Sequence, residues 1–397
     1  MVRPGPSQEE VRRQNLGALL RYVHVHGATT RAELTTELGL NRSTIGALTA
    51  DLAAARLVSE GAPRETGRAG RPSLVVRPES DRVFAYALSV GVDRLRAARV
   101  GLGGAVIDHR ATERPRGQEI AETVAQLALF VRQMHGSVPP DSVCVGSGVA
   151  VSGMVRHPDG VVRLAPHAGW VDQPLGTALR SALGDKSPVT AGNVADLAAL
   201  AEHARGVAAG CDNVIYLYGD VGVGAGIIAG GRRVTGHGGY GGEVGHMVVH
   251  PGGRPCGCGS RGCWETEIGE YALLRAAGRD DAVTGRDAVL AVVDAASRGD
   301  AGAQAAVRQV GDWLGFGVAN LVNIFNPEMV IFGGTMRDVY LASAAQIRSR
   351  LNSMGLPACR EHVRLRTPSL GDDAALIGAA ELAFEQLLAD PLLSAGG

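Results

Sequence analysis

Three thiols fall within eight residues at Cys256-Gly257-Cys258-Gly259-Ser260-Arg261-Gly262-Cys263. Six cysteines in 397 residues do not make a disulfide framework, and three of them clustered between glycines point to one bound ion in a reducing compartment. A closed tetrahedral site needs a fourth ligand, and His246 lies ten residues before Cys256. Cys3His is a common structural zinc set. An iron–sulfur cluster would normally take four cysteines, and no fourth is nearby; free thiols are the other alternative. If His246, Cys256, Cys258 and Cys263 all bind, no position remains for a catalytic water, so the Zn2+ is expected to be structural.

At 397 residues the chain has room for two or three domains. With 45% apolar and 20% charged residues it has ordinary globular composition, which excludes collagen, coiled coil and a disordered tail. No run of 18 apolar residues appears, and Met1-Val2-Arg3-Pro4-Gly5-Pro6 has no apolar core after its charge. A cytoplasmic protein with no membrane partner is expected. Charge is uneven: residues 1–78 hold 11 arginines against 7 acids, a net of +4, while the whole chain is −1, leaving −5 for the rest. An arginine-rich head on an acidic body suggests a polyanion partner for the head.

Helical spacing supports that partner. Val11, Leu16, Leu19, Leu20 and Val23 predict a helix over 8–26, stopped by Gly27. A short helix over 31–38, the turn Gly39-Leu40-Asn41 and a third helix over 42–54 complete a helix–turn–helix. Asn41, Arg42, Ser43 and Thr44 open the third helix with side chains suited to phosphates and base edges. Leu57-Val58 and Leu74-Val75-Val76 then flank Gly67-Arg68-Ala69-Gly70-Arg71-Pro72. That reads as a hairpin wing whose Arg68 and Arg71 can enter a minor groove. The expected domains are a winged helix-turn-helix over 1–78, a linker over 79–83 and a body over 84–397. Winged helices usually read two half-sites, so operator DNA and a homodimer or homotetramer are the expected partners.

In the body, strand-like and helical patterns alternate, with glycines at strand ends, as in a two-lobed α/β protein. A strand pair is predicted over 84–92 and 96–107, a helix over 120–135, strands over 143–151, 214–218, 223–228 and 329–332, and a closing helix over 374–388.

The segment Gly242-Glu243-Val244-Gly245-His246, followed by Cys256-Gly257-Cys258-Gly259-Ser260-Arg261-Gly262-Cys263-Trp264-Glu265, resembles the signature of the ROK family of repressors, open reading frames and kinases at every fixed position. Gly219–Ile228, Asn323–Gly334 and Gly378-Ala379-Ala380 resemble further family segments, so that the likeness spans about 84–390. The added winged helix resembles the repressor branch. The resemblance implies an actin-like, sugar-kinase-type body. One lobe would span about 84–195 plus the closing helix at about 374–390. The other would span about 196–373 and carry the zinc loop 246–263. It further implies that Asn193, Glu243, His246 and Glu265 hold sugar hydroxyls in the cleft, with His246 serving metal and sugar through its two ring nitrogens. Glu265 could alternatively support the zinc loop.

Two departures bear on activity. The family's Asn-Asp pair aligns with Asn193-Val194. In the kinases that aspartate is the general base, and valine takes no proton. Asp196 projects from another side of the helix and is a poor substitute. The family's first phosphate loop, Asp-x-Gly-Gly-Thr, aligns with Ser89-Val90-Gly91-Val92-Asp93, where serine replaces the aspartate and only one glycine remains. The expectation is a DNA-binding repressor of sugar-utilisation genes, controlled by a sugar or sugar-phosphate effector and without kinase activity. The alternatives are an ATP-dependent sugar kinase with a regulatory head, and a regulator controlled by a docking protein. His167-Ala168-Gly169-Trp170 lies where family members vary near the sugar.

Overall fold

Ser7 and Thr30 each open a helix with a reciprocal capping box, satisfying backbone donors that the first turn leaves orphaned. The helices run Gln8–His26, Arg31–Leu38 and Arg42–Ala54. Val58–Gly61 pairs antiparallel with Val75–Pro78, and Thr29–Thr30 adds to the free edge of the latter. Three helices with a three-stranded sheet make a winged helix. The computed structural model describes residues 7–62, 73–115, 117–184, 188–279 and 284–393. The wing tip with Arg68 and Arg71 lies outside the described residues.

The body holds two five-stranded sheets with one plan. In the first, Val83–Val90, Arg94–Gly101 and Val106–Glu113 form an antiparallel meander. Val143–Val151 runs parallel to the first strand on its other side, and Val189–Asn193 runs parallel beyond it. The second sheet repeats this with Val214–Gly219, Val223–Ala229 and Arg232–Arg233, then Met329–Gly334 and Arg364–Arg366. Numbered within each five-stranded sheet, both read 5-4-1-2-3. This is the two-lobed actin-like architecture. The sequence pattern ran one strand through 96–107. The structure ends it at Gly101, because Gly103 and Gly104 at φ 107° and 81° turn the chain back into a third strand.

Two helices join the lobes through contacts that exclude any side chain. The closing helix Ala374–Ala389 lies on the first sheet, where a Cβ on Gly148 would stand 1.7 Å from the Ala379 carbonyl oxygen. The helix Val194–Arg205 packs on the other side of the closing helix, and a Cβ on Gly378 would stand 1.8 Å from the Leu197 carbonyl oxygen. That same helix lies on the second sheet at Gly226. The lobe boundary expected near 195 thus falls inside a helix shared by both lobes.

The head is not loosely tethered. Leu16, Leu19, Leu20 and Val23 share one apolar cluster with Phe384, Leu387 and Leu388 of the closing helix. Burying each such side chain contributes about 1.5–3 kcal/mol. The stretch 79–83, expected as a linker, is an ordered turn: Glu79 N–H donates to the Leu57 carbonyl at 3.0 Å and Val83 N–H to the Glu79 carbonyl at 2.8 Å. Among the described residues, no helix is long and apolar enough to cross a membrane.

Candidate ligand cleft, metal centre and DNA-contact helix

His246 closes a 3-10 turn over Val244–His246, and the thiols follow on a loop pinned by Trp264. Trp264 is fully buried; its indole N–H donates to the Trp313 carbonyl at 2.9 Å, and its ring lies on Gly317. Inside the loop, Cys256 N–H donates to the Ser260 carbonyl at 2.9 Å, and Gly262 at φ 71° passes so close to the His250 carbonyl that no Cβ fits. Glycine is required there to bring the last thiol back to the first two.

One ligand atom from each of His246, Cys256, Cys258 and Cys263 lies within 4.8 Å of every other. Metal–sulfur bonds of about 2.3 Å at tetrahedral angles give sulfur–sulfur edges of about 3.8 Å and sulfur–nitrogen edges of about 3.5 Å. Cys258 Sγ and Cys263 Sγ are 3.7 Å apart, and Cys256 Sγ and His246 Nδ1 are 3.6 Å apart. The donor set and its spacing fit a tetrahedral metal ion. Burial raises the Cys256 thiol above its ordinary range, so a cation is what would make it a thiolate.

The carboxylates around the cluster face its histidine. Glu265 Oε1 accepts from the Cys256 thiol at 2.9 Å and lies 3.6 Å from His246 Nδ1. Glu243 Oε2 lies 3.8 Å from His246 Nε2, so the two ring nitrogens face opposite ways, one to the thiols and one to the cleft. Burial raises the Glu243 carboxyl above its usual range, and the Glu265 charge adds to this against the pull of His246.

A cavity of about 420 Å³ opens between the lobes. The structure brings Asn193, Glu243, His246 and Glu265 together on its wall, with His167 and the Gly222–Gly224 turn. Asn193 also caps the helix behind it: Oδ1 accepts from Ala195 N–H at 2.7 Å and Nδ2 donates to the Gly153 carbonyl at 3.0 Å. Val194 also lines this cavity and packs into the apolar core beside it. Asp196 turns away, its Oδ2 accepting from Arg233 Nη1 at 2.9 Å, as its position on the helix predicted. Gly91 N–H is used by the hairpin, donating to the Arg94 carbonyl at 3.0 Å, so it offers nothing to a phosphate.

Sequence reasoning missed Asp220. It lines the cavity, and burial together with Asp93 and Glu270 raises its carboxyl to about 6. The signal was there: it is the one acid within the glycine-rich stretch 219–228.

In the head, Asn41 caps the third helix by accepting from Thr44 N–H at 2.8 Å and from Ser43 Oγ at 2.6 Å. Asn41, Arg42 and Ser43 are exposed at the helix start and Thr44 is partly covered. The preceding helix is fixed to the wing by Arg31, whose Nε donates to Glu60 Oε1 at 2.6 Å.

The profile of the ROK family matches residues 85–386. The chain belongs to the ROK family. The putative xylose repressor of Caldicellulosiruptor sp. (strain Rt8B.4) is 28% identical over 392 residues, covering 94% of this chain and 96% of that protein. A glucokinase of Halalkalibacterium halodurans is 31% identical over 326 residues, covering 96% of itself but 77% of this chain. The crystal structure of a ROK family transcriptional regulator, a homologue of the E. coli MLC protein, superposes with a TM-score of 0.80 at 25% identity, covering 98% of this chain and all of that one. Repressor relatives thus match head and body together, which places this ROK protein in the repressor branch.

Proposed function

We propose that this ROK protein is a DNA-binding repressor of sugar-utilisation genes whose effector, a sugar or sugar derivative, occupies the interlobe cleft. The observation that carries this reading is one chain in which the first helix of a winged helix packs through a shared apolar cluster onto the closing helix of a sugar-kinase-like body. Glu243, His246, Glu265 and Asn193 would hold vicinal hydroxyls through paired hydrogen bonds. Asn41 to Thr44 would enter a major groove, with Arg68 and Arg71 reaching into the adjacent minor groove. Two heads are needed for two half-sites, so the working unit is a homodimer or homotetramer in the cytoplasm. A xylose-repressor relative that matches 94% of the chain and a transcriptional regulator that matches 98% of it support this reading.

The metal would be zinc, held by His246, Cys256, Cys258 and Cys263, and when bound it supplies fixed geometry rather than Lewis-acid chemistry. The loop it closes carries both His246 and Glu265, so metal and effector binding are linked. Catalysis is not expected, because Val194 stands in the wall where the kinases' base would be. The competing reading, a sugar kinase with a regulatory head, is favoured by Asp220, a carboxylate in the same cavity that titrates at about 6.

The test pairs two assays on the purified chain. Binding to DNA from its own locus is measured with and without hexoses, hexosamines, pentoses and their phosphates, and a coupled ATPase assay is run on the same panel. A sugar-dependent change in DNA affinity without turnover is expected. Turnover well above background would sink the regulator-only reading.

A further inference from the structure

The helix Val194–Arg205 starts in the cleft and ends against the head. Val194 and Ala195 line the cavity at its first turn. Its 12 residues carry it about 18 Å. At the far end, Arg205 joins groups from three other parts of the chain. Its Nε and Nη2 hold Glu381 Oε1 at 2.7 and 2.5 Å, and its Nη1 donates to the Gly103 carbonyl at 3.0 Å. Its Nη2 also lies 2.8 Å from Nε2 of His24, a residue of the head's first helix with no solvent exposure. His24 Nδ1 accepts from Gly103 N–H at 2.9 Å, and Nε2 faces Glu381 Oε2 at 3.1 Å. Gly104 leaves the room: a Cβ there would stand 2.2 Å from Arg205 Nη1.

The other contacts holding the first helix of the head to the closing helix are mainly apolar, and apolar contact is non-directional. A buried, hydrogen-bonded ion pair fixes angle as well as distance and is unfavourable when half made. Burial alone would raise the Glu381 carboxyl; its contacts with His24 and Arg205 more than reverse this, so it stays ionised in the cluster.

Resting on the regulator reading above, we propose that Arg205, Glu381 and His24 form the joint that transmits the state of the cleft to the DNA-reading head. A ligand that shifts the first turn of the helix moves its last turn with it, because the helix is a stiff rod. Arg205 then draws Glu381 and His24 to a new angle, or resists that change. Arg205 and Glu381 are positioning residues: they touch neither ligand nor DNA, and they set how strongly one is felt by the other.

The test uses the full chain and the variants Glu381→Gln and Arg205→Lys. D-xylose, D-glucose and N-acetylglucosamine are first screened for a rise in wild-type melting midpoint. Fluorescence anisotropy then gives the affinity for labelled DNA from the chain's own locus, with and without the sugar found. Wild type is expected to change DNA affinity about fivefold or more. In both variants the change should shrink to within twofold, while the same sugar still raises their melting midpoint. Should one variant fail to melt cooperatively, the other decides. A wild type that responds alongside an equally responsive folded variant overturns the joint and leaves the regulator reading standing. A wild type whose DNA affinity no sugar alters overturns both.

Discussion

Asp220→Asn tests whether the cleft is held at a cost to the fold. The Asp220 carboxyl is raised from 3.8 to about 6, first by burial and then by Asp93 and Glu270. A folded-state value above the unfolded one means that the native state binds the extra proton. Stability therefore falls as pH rises between the two values. Near pH 4 the group contributes almost nothing; above pH 6 it destabilises the wild type by up to ~3 kcal/mol, at 1.36 kcal/mol per unit. This is a ceiling, because the side chain keeps partial contact with water. Asparagine is nearly isosteric and has no charge to desolvate. Urea unfolding at several pH values should show the variant close to wild type near pH 4 and increasingly more stable up to pH 6. Above that the difference should hold steady. A difference that does not change with pH, or a variant less stable at pH 7.5, would refute the reasoning. The same variant should bind the effector more weakly, since a strained carboxylate in a cleft is more often kept for binding than for folding.

Cys263→Ser removes a fully buried thiol from the four-ligand set; metal content by elemental analysis should drop from one ion per chain towards none, and protease should then cut the 246–263 loop. Gly148→Ala places a methyl carbon where the Ala379 carbonyl oxygen already is; it should destabilise the chain by about 3 kcal/mol or more, read as a lower denaturant midpoint. Arg42→Ala should weaken binding to DNA from the chain's own locus and, if Arg42 meets a phosphate, lower the slope of log affinity against log salt by about 1; unchanged binding would contradict the head assignment. Asn41→Ala deletes the cap of the same helix and should cost about 1 kcal/mol, seen as a small loss of thermal stability.

What could be read from the sequence was what is local along the chain. The four residues whose ligand atoms the structure groups lie between 246 and 263, so their grouping was legible from spacing. Helices were equally readable where caps and apolar spacing agreed, as at Gln8–His26, which Gly27 stops. The break at Gly103-Gly104 was missed although a glycine pair is a turn signal in its own right; both glycines have positive φ. The matching plan of the two sheets could not be seen, since strand pairing depends on neighbours far apart in sequence. The His24–Glu381 contact joins residues 357 positions apart, and neither residue belongs to a motif. Asn193 was expected in the cleft and lines it, but its role as a helix cap appears only when Ala195 N–H is seen pointing at Oδ1.

The packing restricts how such a protein can respond to a ligand. Backbone touches backbone at Gly148, Gly378 and Gly226, and interfaces this close have no slack for gradual deformation. The closing helix must move with the first sheet, and the head's first helix must move with the closing helix, because Gly17 brings it to within contact of the Leu388 carbonyl. A Cβ at Gly17 would stand 2.6 Å from that oxygen. Rotation of one lobe against the other, with the cleft between them, must then come as a discrete step at the Gly378 contact between the two helices and not as gradual deformation. A ligand that bridges Asn193 on one side and Glu243, His246 and Glu265 on the other favours one lobe angle by its differential affinity alone. On the regulator reading proposed above, that difference in affinity is what turns the head.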